Sequence, residues 1–100
     1  MDQFQISIPI EAIKELCKKY RVKELALFGS VLREDFRPDS DIDVLVEFES
    51  DAHIGFLGMA ALARELSGLL DRNVDLVPKG GLKRRIRKPV LDSSMVIYAA

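Results

Sequence analysis

The sequence predicts an α/β (α+β) fold: a small mixed β-sheet with helices packed on it. Three observations carry this. Residues 9–20 and 54–70 place apolar side chains at helical spacing. Residues 24–28, 41–49 and 73–78 are short apolar or alternating runs of strand length. The helical and extended segments alternate along the chain, which lets helices bury the face of a sheet. The chain has 100 residues, 48% apolar and 31% charged. That composition is globular, and the length fits one domain, 1–100, with one modest core.

Each element has its own reason. Ile10, Ile13, Leu16, Cys17 and Tyr20 define one apolar helical stripe, opened by Ser7 or Pro9. "ELALF", Glu24 to Phe28, is an apolar run that stops at Gly29, and is read as a buried strand. Ser30 to Arg33 reads as a helical turn, and "EDFRPDS" as a loop marked by Pro38, Asp39 and Ser40. Asp41 to Glu49 alternates: Ile42, Val44, Val46 and Phe48 face one way, and Asp41, Asp43, Leu45, Glu47 and Glu49 the other. Ile54 to Leu70 is a helix, nearly apolar all round in its first half. "NVDLVP", Asn73 to Pro78, is a third strand. "GGLKRRIRK" is a glycine turn and a basic helix. "MVIYA" is a final strand or an extended tail.

Bulk properties exclude several functions. A net charge of −1 argues against a dedicated nucleic-acid binder. One cysteine, Cys17, rules out an internal disulfide and a multi-cysteine metal site, and its place in the first helical stripe makes it a core residue. The N-terminal residues lack the pattern of a signal peptide. The longest apolar stretch, "IGFLGMAALA", is about half the ~20 residues of a membrane span. The expectation is a cytoplasmic protein that does not enter a membrane.

The chemistry is expected at Asp41 and Asp43. In a strand they share a face, with α-carbons roughly 6.5–7 Å apart. Two unpaired carboxylates so close disfavour their charged forms, and a hard divalent cation removes the conflict. Mg²⁺ takes oxygen ligands and is commonly completed by substrate phosphates. Gly29 and Ser30 precede this pair at a strand-to-helix turn. A glycine there admits a phosphate close to the backbone N–H groups, and Ser30 adds a hydroxyl. Arg33, one helical turn on, can reach the same anion. Asp75, set among Val74, Leu76 and Val77 in a strand that otherwise reads as buried, is a third carboxylate. If its strand lies beside 41–46, it joins the other two, where it can help hold metal and accept a proton from an attacking hydroxyl. An acid on the solvent side of an edge strand is the bland alternative for all three.

The combination is more specific than its parts. A strand, Gly29-Ser30, ten residues, Asp41-x-Asp43 and a later strand bearing Asp75 resemble the nucleotidyltransferase superfamily related to DNA polymerase β. "GSVLREDFRPDSDIDVLVEFE" and "LLDRNVDLVPKGGLKRRIRKPVL" look like its minimal nucleotidyltransferases, the MNT antitoxins often paired with a HEPN-domain toxin. The resemblance covers about Leu25 to Leu91 and implies the nucleotidyltransferase fold. It implies that Gly29 and Ser30, with Arg33 and Ser40, hold the ATP triphosphate. It also implies that Asp41, Asp43 and Asp75 bind two Mg²⁺ ions, and that AMP passes from ATP to a tyrosine hydroxyl of the HEPN toxin. Asp35 and Pro38 match the family's run as well. Leu32 and Glu34 depart from it, standing where the family often has a small residue and a glycine. A second reading is a non-catalytic antitoxin that neutralises its partner by complex formation. Transfer to an antibiotic or an RNA end fits less well, because no further domain is available for the acceptor.

Other features have milder readings. Lys79, Lys83, Arg84, Arg85, Arg87 and Lys88 form a basic run facing solvent, phosphates or an acidic partner. Little aromatic interleaving accompanies it, so stand-alone RNA binding is not expected. Phe56, Leu57 and Met59 could contact another subunit in a homo- or hetero-oligomer. His53 reads as a loop residue and Tyr98 as a packed aromatic.

Overall fold

The computed structural model describes residues 8–29, 41–81 and 84–100. The elements run α1 (Ile10–Lys19), β1 (Val22–Phe28), β2 (Ile42–Phe48), α2 (Phe56–Leu70), β3 (Val74–Pro78), α3 (Arg84–Ser93) and β4 (Met95–Ala99). A short 3-10 turn, Lys79–Gly81, joins β3 toward α3. The expected turn at Ser30–Arg33 and the loop through Ser40 lie outside the described residues.

The four strands form one sheet in the order β3-β2-β1-β4. β1 is antiparallel to both β2 and β4, while β2 and β3 are parallel, so the sheet is mixed. The parallel step needs a crossover, and α2 provides it. The run "MVIYA" is thus a strand rather than a tail: it extends the sheet beside β1.

Alternation in the strands decides what each face buries. Val22, Leu25 and Leu27 of β1 and Ile42, Val44 and Val46 of β2 join Ile13, Leu16 and Cys17 of α1 and Leu62, Leu66 and Leu70 of α2 in one buried cluster. Each such aliphatic side chain contributes about 1.5–3 kcal/mol when fully buried. The two helices are also tied across their surface. The Tyr20 hydroxyl donates to Glu65 Oε2, and Lys19 Nζ lies 3.3 Å from the same oxygen.

The opposite face is buried as well, which the alternation of 41–49 did not reveal. Leu45, on the same side as Asp43, is only 3% exposed and joins Ala26 in a second cluster. Phe28, Val77 and the α3 residues Val90 and Leu91 pack against that pair. Part of the carboxylate-bearing face is therefore roofed by α3.

Two expectations need amendment. The strand bearing Asp75 was read as buried, but β3 is an edge of the sheet. Val74, Leu76 and Val77 are half-buried and Asp75 is exposed. The apolar helix 54–70 covers the sheet through Leu62, Leu66 and Leu70, yet Phe56 and Leu57 are 87% and 83% exposed. Met59, by contrast, packs on the main core. Among the described residues no helix is long and apolar enough to cross a membrane.

Candidate active site

Three backbone facts assemble the site. β1 ends at Phe28, whose register partner is Asp43 of β2. Gly29 follows at once, with φ +78°, a left-handed conformation that glycine adopts without steric cost. Asp43 in turn pairs in parallel register with Asp75 of β3. One line across three strands thus runs from the end of β1 through Asp43 to Asp75. Asp41, two residues before Asp43, stands just ahead of β2.

Gly29 and Asp43 fit closely. A β-carbon at Gly29 would overlap a carboxylate oxygen of Asp43 and lie 3.1 Å from its Cγ. The missing side chain is what makes room for that carboxylate. Asp43 is half-buried, and Asp41 and Asp75 are exposed. The next positions along the same face, Leu45 and Val77, carry the apolar cluster beneath Val90 and Leu91. Asp43 and Asp75 therefore sit at the rim of an apolar floor, which lowers the local dielectric on that side.

The sequence singled out seven site residues. Asp43 and Asp75 are brought to paired positions on β2 and β3, Asp41 stands one residue before β2, and Gly29 lies against Asp43. Ser30, Arg33 and Ser40 lie outside the described residues. Backbone register does not draw the three carboxylates into one cluster: among the described residues, no group of three or more His, Cys, Asp or Glu side chains is gathered closely enough to hold a metal ion.

The basic run is partly committed elsewhere. Lys79 Nζ lies 2.7 Å from Glu24 Oε1 and 3.6 Å from Glu47 Oε1. The hydrogen bond from Lys79 to Glu24 is the main cause that raises its ammonium pKa. Glu24 and Glu47 are register partners, so Lys79 neutralises two facing carboxylates at the far end of the strands from Asp75. Lys88 pairs with Asp92 at 3.1 Å on its own helix. Sequence reasoning missed the role of Lys79. The signal was available: two glutamates at strand positions where like charges would face each other.

The described residues thus join a strand that ends at a left-handed glycine, a strand bearing Asp43 and a third strand with Asp75 in parallel register. The chain matches the nucleotidyltransferase domain over residues 10–97, and it belongs to that family. Among curated relatives it is 42% identical, over 78% of this chain and 77% of the relative, to the protein adenylyltransferase MntA of Thermococcus cleftensis. A solved structure of a candidate minimal nucleotidyltransferase is 40% identical, with TM-score 0.72 over 86% of each chain. A chain in the structure of a tri-AMPylated Shewanella oneidensis HEPN toxin with its MNT antitoxin is similar at TM-score 0.65. That match is 22% identical, over 91% of this chain and 70% of that one, and speaks to the fold alone.

Proposed function

We propose that the protein is a Mg²⁺-dependent nucleotidyltransferase that transfers AMP from ATP to a protein hydroxyl. In this reading it is the antitoxin of a HEPN-domain toxin, and a tyrosine of that toxin is the acceptor. The observation that carries the proposal is the register of Asp43 with Asp75, together with the space that Gly29 leaves for the Asp43 carboxylate. The protein adenylyltransferase name of a relative at 42% identity supports the protein acceptor.

Asp41, Asp43 and Asp75 offer only carboxylate oxygens, the donor chemistry that suits Mg²⁺. Two bound ions would neutralise the developing charge on the attacking and leaving oxygens. Gly29, Ser30, Arg33 and Ser40 would orient the triphosphate. The acceptor oxygen attacks the α-phosphorus, and the bond to the bridging oxygen of the β-phosphate breaks. Pyrophosphate leaves, AMP stays on the acceptor, and the hydroxyl proton passes to Asp75. The chain's contribution is position and electrostatic stabilisation. In this reading the protein draws on ATP and works in the cytoplasm.

One observation favours the second reading, an antitoxin that acts by complex formation alone: among the described residues, the acidic side chains are not gathered into a metal-holding group. A single experiment separates the two. The protein is incubated with ATP, Mg²⁺ and its HEPN partner, and the partner's intact mass is measured. AMP adducts that vanish in the Asp41→Asn/Asp43→Asn variant, with the fold retained, support the enzyme. A stable, inhibitory complex without adducts supports the binding module. Adducts that persist in the variant refute the carboxylate assignment.

A further inference from the structure

We propose that Ser67 is a positioning residue, whose hydroxyl holds β3 in the register that sets Asp75 opposite Asp43. The inference rests on the metal-dependent reading above and deepens it.

β3 is an edge strand with β2 as its sheet neighbour, and it is only five residues long. A slip of one residue would turn Asp75 to the opposite face. The register therefore gains from an anchor outside the sheet, and α2 supplies one. The Val74 N–H, immediately before Asp75, donates to Ser67 Oγ at 3.0 Å. The same hydroxyl donates to the Ala63 carbonyl at 2.8 Å, which fixes its orientation. The Ser67 carbonyl accepts the N–H groups of Asp71 and, at 3.2 Å, Arg72, closing the helix at left-handed Asp71. One residue thus ends α2 and starts β3. From the other side, the Ile42 N–H donates to the Asn73 carbonyl at 2.8 Å. Ile42 lies between Asp41 and Asp43. The bonds from Ala63 through Ser67 to Val74, and from Asn73 to Ile42, join α2 to both parts of the carboxylate set.

Local preference does not account for this serine. α2 reads "FLGMAALARELSGLL", and an alanine at 67 would be the better helix former. A serine inside a helix that bonds back to the i−4 carbonyl normally weakens it slightly. A residue that goes against its local preference points to a tertiary role, and the bond to Val74 is that role.

The probe is Mn²⁺ alone, with free Mn²⁺ counted by electron paramagnetic resonance. The chains compared are the wild type, Ser67→Ala, Ser67→Thr, Ser67→Cys, Asp75→Asn and Ser67→Ala/Asp75→Asn. Thermal melting checks that each is folded. Ser67→Ala should weaken Mn²⁺ binding about tenfold, as loss of a supporting partner typically does. Ser67→Thr, which keeps the hydroxyl, should stay within about twofold of wild type, and Ser67→Cys, a poorer acceptor of similar size, should fall between. The double variant should bind no more weakly than Asp75→Asn, because Ser67 acts through Asp75. Wild-type affinity in Ser67→Ala, or a full further loss in the Asp75→Asn background, overturns the inference. If Ser67→Ala does not fold, the order of the Thr and Cys variants decides. A wild type that binds no Mn²⁺ refutes the metal reading itself, and this inference with it.

Discussion

Replacing Gly29 by alanine puts two costs on one atom. The first is backbone: at φ +78° an L-residue other than glycine loses about 1–2 kcal/mol. The second is the overlap with Asp43. The new β-carbon would fall on a carboxylate oxygen and 3.3 Å from the Asp43 β-carbon. Asp43 is on a central strand, so the strand cannot easily retreat. Its side chain must rotate instead, at about 0.5–1.5 kcal/mol if it is forced off a staggered well. The sum is about 2–3 kcal/mol, which for a domain of this size lowers the melting temperature by roughly 10–20 °C. The assay is thermal melting of Gly29→Ala, Asp43→Ala and the double variant. In the Asp43→Ala background the carboxylate overlap is gone, so Gly29→Ala should cost only the backbone share. A Gly29→Ala protein that melts like wild type would refute the close fit. Equal costs in the two backgrounds would refute the contact with Asp43.

Two further perturbations follow from the same structure. Cys17 is fully buried, and burial pushes its thiol up to about 11 from an ordinary value near 9. The native protein should therefore resist a thiol reagent until it unfolds. Its stability should hold below pH 9 and fall by about 2–3 kcal/mol as pH rises toward 11, where the unfolded chain alone ionises; Cys17→Ala should lose that dependence in denaturant titrations. Lys79→Met leaves Glu24 and Glu47 facing each other without their shared cation. The pair is partly exposed, so the loss should stay below about 1 kcal/mol, and added salt should shrink it in melting experiments.

Much of the fold was legible because period alone fixes it. Ile13, Leu16 and Cys17 mark a helix stripe, and Ile42, Val44 and Val46 mark a strand face, whichever neighbours they meet. The candidate site was read from the same period, and the structure brings Gly29, Asp43 and Asp75 of it to adjacent positions. Asp41 and Asp43 share a side by alternation, and Gly29 sits where a strand must turn. What period cannot give is which elements become neighbours. Leu45 looked like part of a polar face because nothing local announces that α3 covers it. Asp75 looked like an acid in a buried strand, and only the sheet order makes β3 an edge. The bond of Ser67 to the Val74 amide has no local signal, because that amide is made available by the turn back into the sheet.

The pairing of β1 with β4 has a consequence for how the chain is made. Glu24 meets Ala99 and Leu27 meets Met95, contacts spanning most of the sequence. During synthesis β1 can pair with β2 early, but its other edge stays open until the last strand has left the ribosome. An open, apolar edge is a template for pairing with other chains, and closing so long a loop is slow. The nascent protein therefore passes through a stage in which β1, β2 and β3 can already be joined while the open edge of β1 remains adhesive, and only the arrival of Met95–Ala99 ends that exposure.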